Sequence, residues 1–162
     1  MDEETPQPQS LAGAPSIWAR ARTLARGLLS VRRGQWGEEQ AARFLRRAGM
    51  EIVARNVRPV AGDRRCEIDI IAHESACNAI VFVEVKTHLR HSERASRLWS
   101  IDRRKKSNLL RACASWLLRR NWRGNYRFDV VEVYGDGEKG AAPEIDHIRN
   151  VPLFPPNWRF RR

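Results

Sequence analysis

The fold is decided by RCEIDIIAHESACNAIVFVEVKT, residues Arg65–Thr87. Inside it, two apolar runs, Ile68–Ala72 and Ile80–Val85, flank a short polar stretch that contains Ser75 and Asn78. Runs of this length, rich in β-branched and aromatic residues and parted by turn formers, predict the two strands of a hairpin. The second run is apolar almost without a break, as in a strand covered on both faces. Side chains alternate along a strand, so Ile80, Phe82, Glu84 and Lys86 share one face while Val81, Val83 and Val85 share the other. Glu84 and Lys86 thus occupy positions a core strand would fill with apolar groups. So does Asp69 on the first strand, on a face with Glu67 and Ile71. Taking a charge out of water is costly unless it is paired or holds an ion. The hairpin brings Asp69 beside Glu84 if both point to the same side.

Upstream, Gln35–Ala48 (QWGEEQAARFLRRA) reads as a helix ended by Gly49 at its C′ position. Ala41, Ala42, Leu45 and Ala48 form its buried stripe, Glu38 continues that stripe, and Glu39 falls to one side. An acid in a first turn is favoured by the helix dipole, so Glu38 has a structural as well as a functional reading. Met50–Val57 predicts a first strand, followed by Arg58-Pro59 and a turn around Gly62-Asp63. Downstream, Thr87–Ser100 is expected as a polar, basic loop. Its His88 and His91 read as hydrated loop residues in preference to metal ligands or proton carriers. Ile101–Arg120 is the longest expected helix, buried along Ile101, Leu109, Ala112, Cys113, Trp116 and Leu117. Lys105 lies on that same side, either as a snorkelling lysine or as a cation aimed at a phosphate or carboxylate. Arg103, Arg104 and Lys106 spread over other faces. Tyr126–Tyr134 and Glu144–Ile148 read as the last strands, with a turn over Gly135–Gly140.

The chain has 162 residues, enough for one domain with a real core. Thirty Lys and Arg against 19 Asp and Glu give a net charge of +11. Such an excess favours polyanionic partners, nucleic acid first and an anionic membrane second. The 3 cysteines have no C-x-x-C spacing, which argues against a disulfide framework or a zinc site and fits a reducing cytoplasm. No apolar run approaches the roughly 20 residues of a membrane span, so no membrane partner is expected. Residues 1–15 are acidic and Pro-rich and are expected to be disordered. Ser16–Arg33 places Ile17, Ala21, Leu24 and Leu28 at helical spacing among Arg20, Arg22, Arg26, Arg32 and Arg33. This basic amphipathic stretch is expected to dock loosely on its own domain. The tail, residues 151–162, is basic and aromatic, and is expected to be extended, stacking on bases or covering an edge. The organisation expected is an extension over 1–33, a domain over 34–150 and a tail over 151–162.

An acid on one strand, followed by E-x-K on the next, has a specific use in a basic protein. Neighbouring carboxylates repel unless a cation lies between them. Mg²⁺ suits such a pair because it is hard, prefers oxygen and keeps several waters. A bound ion neutralises phosphate charge and acidifies a coordinated water. A lysine on the same face orients that water or meets developing negative charge. Glu38 is then placed to hold a second ion or to touch the hydration shell of the first. The chemistry is hydrolysis of a phosphodiester. The competing reading is a buried ion pair from Lys86 to Glu84 or Asp69, which is a weak source of stability.

These residues carry a family resemblance. The chain resembles the PD-(D/E)XK, or restriction-endonuclease-like, superfamily, and more closely the bacterial YraN-like family of predicted endonucleases, whose core is similar to that of archaeal Holliday-junction resolvases. The matching pieces run in order over about residues 34 to 150: GxxGEEQAARFLRRAG from Gly34, RNVR at Arg55–Arg58, EIDIIA at Glu67–Ala72, VFVEVKT at Val81–Thr87, Ile101-Asp102-x-x-Lys105, and RFDVV at Arg127–Val131. The resemblance implies an α/β fold with a three-layer core, a mixed central sheet flanked by helices. It implies a Mg²⁺ site, with Mn²⁺ as substitute, made by Asp69, Glu84 and the Val85 carbonyl, with Lys86 as the catalytic lysine and Glu38 as the helix-borne acid. Lys105 matches a basic position on the helix after the core hairpin, and Lys105, Arg104, Arg55 and Arg58 are the cations expected to meet nucleic acid. The partner implied is DNA, branched forms included, in repair or recombination, with a homodimer suggested by the resolvase-like members. A non-catalytic nucleic-acid binder on the same scaffold is the alternative. Cys66 departs from the family, where glycine usually precedes the Glu, and Leu89–Leu98 lacks the usual glycine.

Overall fold

The structure, a computed structural model, describes residues 17–89, 103–135, 137, 142–156 and 158, with side chains from residue 27 onward. His91, Ile101, the expected disorder of residues 1–15 and most of the expected loop after the hairpin lie outside the described residues. The chain divides into two compact units, Met1–Arg32 and Arg33–Arg162.

In chain order the elements are α1 (Ile17–Arg47), β1 (Glu51–Val57), β2 (Ile68–Glu74), β3 (Ala79–His88), α2 (Arg103–Arg119), β4 (Asn125–Tyr134) and β5 (Glu144–Ile148). The strands form one five-stranded sheet in the order β1-β2-β3-β4-β5. β3 and β4 are parallel and every other neighbouring pair is antiparallel. A parallel pair needs a crossover, and α2 lies between the two strands in sequence to supply it. β2 and β3 form the expected hairpin around a 3-10 turn, Ser75–Cys77, which closes on Asn78 in the left-handed region at φ 46°. Asn tolerates that conformation better than most residues.

Strand alternation sorts the core onto two faces. Ile70, Ala72, Val81, Val83, Val131 and Val133 pack with Ala41, Ala42 and Leu45 of α1. Ile71, Ile80, Phe82, Phe128 and Val130 pack with Leu109, Ala112, Cys113, Trp116 and Leu117 of α2. The result is an α/β fold with helices on both faces of a mixed sheet, consistent with a restriction-endonuclease-like core. Cys66, in place of the glycine usual in the family, is fully buried in the α2-side cluster.

Several boundaries differ from the sequence reading. The helix expected from Gln35 is the second part of a longer one that begins at Ile17, because nothing between Ser16 and Gln35 breaks a helix strongly enough. It ends at Arg47, leaving Ala48 exposed, and Gly49 takes the expected left-handed φ of +83°. Thr87 and His88 belong to β3 and not to the loop, since the parallel ladder continues as far as His88 opposite Tyr134. The chain after β5 packs on the core: Leu153 is buried, Phe154 stacks on Trp158, and the Tyr126 hydroxyl donates to the Trp158 carbonyl. Phe154 packs against the α2-side cluster, beside Phe82 and Tyr126.

Two local features tie the layers together. A Cβ at Gly37 would stand 2.0 Å from Thr87 Oγ1, so only glycine lets α1 lie this close to the end of β3. On β4, the fully buried Asp129 accepts from Arg127 Nε at 3.0 Å and from the Asn150 N–H at 2.8 Å, with His147 Nε2 2.9 Å away. Arg127 also bonds Glu74 of β2, so one charged chain crosses from β2 to β5. Removing one member of a buried charge network strands the rest. Asp129→Ala is expected to cost about 3–5 kcal/mol in urea unfolding. Gly37→Ala is expected to lower stability by about 1–3 kcal/mol through overpacking against Thr87; an unchanged midpoint would show that the two layers have room to separate.

Candidate active site

Along the α2-side face, β3 and β4 change character midway. Phe82 and Val130 are core; Glu84, Lys86 and His88 follow on β3, and Glu132 and Tyr134 on β4. Glu84 is 4 % exposed. Its Oε1 takes the Lys86 ammonium at 2.7 Å and also the ammonium of Lys105, from the first turn of α2. Lys105 is therefore a cation aimed at a carboxylate, not a snorkelling lysine. Burial works to lower its pKa, but the charge and hydrogen bond of Glu84 outweigh that and hold it above the ordinary lysine value.

Asp69 lies at the end of the β2–β3 ladder, and its Oδ2 accepts the Val85 N–H at 2.8 Å. Burial, and then the Glu84 charge, push its pKa up to about 7, against the opposing effects of the Val85 N–H and Lys105. The condition set by the sequence, that Asp69 and Glu84 face the same side, is met: Ile71, two residues on from Asp69, pairs with Phe82, two residues before Glu84. Glu38 approaches from α1. Its Oε2 accepts from the Asn56 side-chain amide at 3.0 Å, with Arg55 Nη2 at 3.8 Å. Its charge is among those acting on Asp69.

Among the described residues, no three His, Cys, Asp or Glu side chains form an ion-holding cluster. Glu38 therefore does not join Asp69 and Glu84 in a three-acid cage. The remaining donor set still fits Mg²⁺, which needs only one or two carboxylates when waters and phosphate complete its shell. The Val85 carbonyl would add a third oxygen. The N–H and C=O of a strand residue point to the same edge, so a Val85 N–H directed at Asp69 puts the Val85 carbonyl on that edge too.

The four cations assigned to nucleic acid separate. Arg55 is part-buried and bonds Glu39 Oε2 at 2.6 Å, so it works inside the structure. Lys105 is committed to Glu84. Arg58 is half exposed while donating from Nε and Nη2 to Glu67. Arg104 is exposed on the first turn of α2. Three functional candidates escaped the sequence reading. Asn56 and Gly37 carry no charge and no periodic signal. Glu132 does carry one: like Glu84, it interrupts an apolar alternation, after Phe128 and Val130. It is 3 % exposed, accepts the Tyr134 hydroxyl at 2.6 Å, and pairs in register with Lys86. His88 stacks on Tyr134, with Nε2 3.8 Å from Glu132 Oε1.

The raised pKa of Asp69 makes a prediction about stability. Between about pH 4 and pH 7 the folded protein retains a proton that the unfolded chain releases, so stability falls as pH rises through that window. Asn in place of Asp69 can still accept the Val85 N–H without carrying charge. Asp69→Asn is expected to flatten the urea-midpoint profile and to be the more stable protein at pH 8, by on the order of 2 kcal/mol. Parallel profiles for the two proteins would place Asp69 in water.

Comparison with known proteins adds sequence relatives. The profile described as "Uncharacterised protein family UPF0102" matches residues 37–133. A UPF0102 protein of Nocardia farcinica is 42 % identical over 120 residues, covering 73 % of this chain and 87 % of its own. One of Caldicellulosiruptor saccharolyticus is 41 % identical over 120 residues, covering 73 % of this chain and 94 % of its own. One of Syntrophotalea carbinolica is 39 % identical over 117 residues. The matched span holds Glu38, Asp69, Glu84, Lys86 and Lys105.

Proposed function

The chain belongs to the UPF0102, or YraN-like, family, and from that premise we propose that it is a metal-dependent endonuclease that hydrolyses phosphodiester bonds in DNA, with Mg²⁺ as cofactor and Mn²⁺ able to replace it. One observation carries the reading: two carboxylates and two lysines meet where the α2-side face of the sheet turns from core to charge, and Glu84 there is almost closed off from water. As a stabilising device this arrangement is poor, because the desolvation of buried charges commonly exceeds what their attraction returns. As a reaction site it is well placed, at the carboxyl end of the parallel pair β3–β4, where open α/β sheets bind ligands.

The roles divide by chemistry. Asp69, Glu84 and the Val85 carbonyl would hold the ion. Bound there, Mg²⁺ supplies positive charge against the phosphate and a more acidic water. Lys86 and Lys105 place two ammonium groups beside the same carboxylate, where they meet phosphate oxygens or the charge that develops on them. Arg104 and Arg58 are exposed and would meet the backbone, and the net charge of +11 draws the polyanion in. A structure-selective role in repair or recombination rests on the resolvase-like pattern alone. A binding-only scaffold is the second reading, favoured by the way Lys86 and Lys105 already satisfy Glu84 Oε1. It accounts for the positive charge but gives no reason for Asp69 to be buried beside Glu84.

Purified protein is expected to cut at least one of a set of linear, flapped and four-way DNAs when Mg²⁺ or Mn²⁺ is present, and to stop on chelation. Asp69→Ala, Glu84→Ala and Lys86→Ala are each expected to lose about 100-fold or more, with circular dichroism spectra unchanged. Cutting that persists in all three variants would remove this site from the chemistry. Folded wild-type protein that binds DNA without cutting any form would favour the binding-only scaffold.

A further inference from the structure

The end of β1 carries a device that strand pairing does not need. The β1–β2 register shifts between Ile52 and Ala54, and Asn56 takes a left-handed backbone at φ 52°. From that position its side-chain amide donates to Glu38 Oε2 at 3.0 Å. The preceding residue, Arg55, donates from Nη1 to Glu39 Oε2 at 2.6 Å. Two consecutive acids of α1 are thus gripped by two consecutive residues of β1.

The grip is unequal. Glu39 receives guanidinium groups from both Arg43 and Arg55, which hold its carboxyl below the usual range. Glu38 receives a neutral amide at 3.0 Å and a longer ion pair, 3.8 Å, from Arg55 Nη2. A guanidinium cancels a carboxylate's charge, whereas an amide fixes its direction and leaves the charge in place. Gly37 sets the position from the other side, since its close approach to Thr87 locks the preceding link of α1 against the end of β3. Glu38 is left partly exposed, and Asp69 feels its charge.

We propose that Asn56 and Arg55 are positioning residues: together they direct Glu38, whose ion pair with Arg55 is longer than that of Glu39, toward the divalent cation held by Asp69 and Glu84, so that Glu38 strengthens the hold on that ion without being one of its ligands. This rests on the divalent-ion reading above. It explains why RNVR begins with one charged and one neutral donor, and why the neutral one sits in a backbone conformation that favours Asn over most residues. It also gives Glu38 a role that does not require a three-acid cage.

Asn56→Gly is the informative variant, because glycine adopts the same backbone freely and removes only the amide. Mn²⁺ affinity, measured by calorimetry on full-length protein without DNA, is expected to fall about 10-fold in Asn56→Gly, in the range typical for loss of a partner that orients a metal site. Glu38→Ala is expected to lose a similar amount, and the double variant no more than the worse single one, as for residues acting through one another. Urea midpoints report whether either change merely loosens the fold. Independently of metal, the Asn56 side-chain amide protons should resonate at a shifted position in the wild type and return toward the free-amide position in Glu38→Ala. Wild-type Mn²⁺ affinity in Asn56→Gly, additive losses, or amide protons unmoved by Glu38→Ala would each overturn the proposal. A shifted amide in a wild-type protein that binds no Mn²⁺ would overturn it at the ion reading. An ordinary amide in a protein that does bind Mn²⁺ would overturn it at the grip.

Discussion

A carboxylate sealed into the middle strand of a sheet must find its counter-charges within the protein, and Glu84 finds two on a single oxygen. That requirement fixes much of the surroundings. Lys86 reaches it from the same strand face, two residues along. Lys105 reaches it only because α2 begins at Arg103, opposite the end of β3, so that the first turn of the crossover helix overhangs the acid. Asp69 must then share the space, held by the Val85 N–H while its own burial and the neighbouring charge oppose its ionisation. The β2–β3 register brings these groups together, and a one-residue slip would turn Asp69 to the other face.

The two faces of the sheet divide the work. Under α1, β3 and β4 offer Val81, Val83, Val131 and Val133, and the helix answers with alanines and one leucine, so the layers pack close. Under α2, the same strands are apolar only as far as Phe82 and Val130. Beyond them the face carries Glu84, Lys86, His88, Glu132 and Tyr134. The apolar cover given by Leu109, Ala112 and Trp116 gives way at that point to the charged first turn of α2. Core and candidate site are thus consecutive stretches of the same two strands. Rigid strands hold such groups more firmly than loops do. The buried network through Glu74, Arg127, Asp129 and His147 supports this from the far side by tying β2, β4 and β5 to one another.

Much of this was legible in the sequence, for an identifiable reason. Where burial is nearly complete, any charge is an anomaly, and period-2 alternation assigns it a face; that sufficed for Asp69, Glu84 and Lys86. The helical repeat gave the buried sides of α1 and α2, including Lys105 on the covered side. What escaped depends on distance in three dimensions. Nothing in the local pattern says that Arg55 would spend its charge on Glu39, that Asn56 would turn back onto Glu38, or that Gly37 would meet Thr87. Glu132 was within reach, since it breaks an apolar alternation as Glu84 does. The long α1 was missed because Gly34 in a run of good helix formers costs too little to end a helix. His88 reads as loop from the sequence because hydrophobicity falls off before the parallel ladder does.

The central claim is that Asp69 and Glu84 hold a divalent cation between them. Crystals grown with Mn²⁺ and measured on both sides of the manganese absorption edge test it directly. The account predicts an anomalous peak within coordination distance, about 2.0–2.3 Å, of an Asp69 oxygen, a Glu84 oxygen and the Val85 carbonyl, with the Lys86 and Lys105 ammonium groups moved off Glu84 Oε1. Density with no such peak, and both lysines still bonded to that oxygen, would contradict it and leave the charged cluster as a structural ion pair.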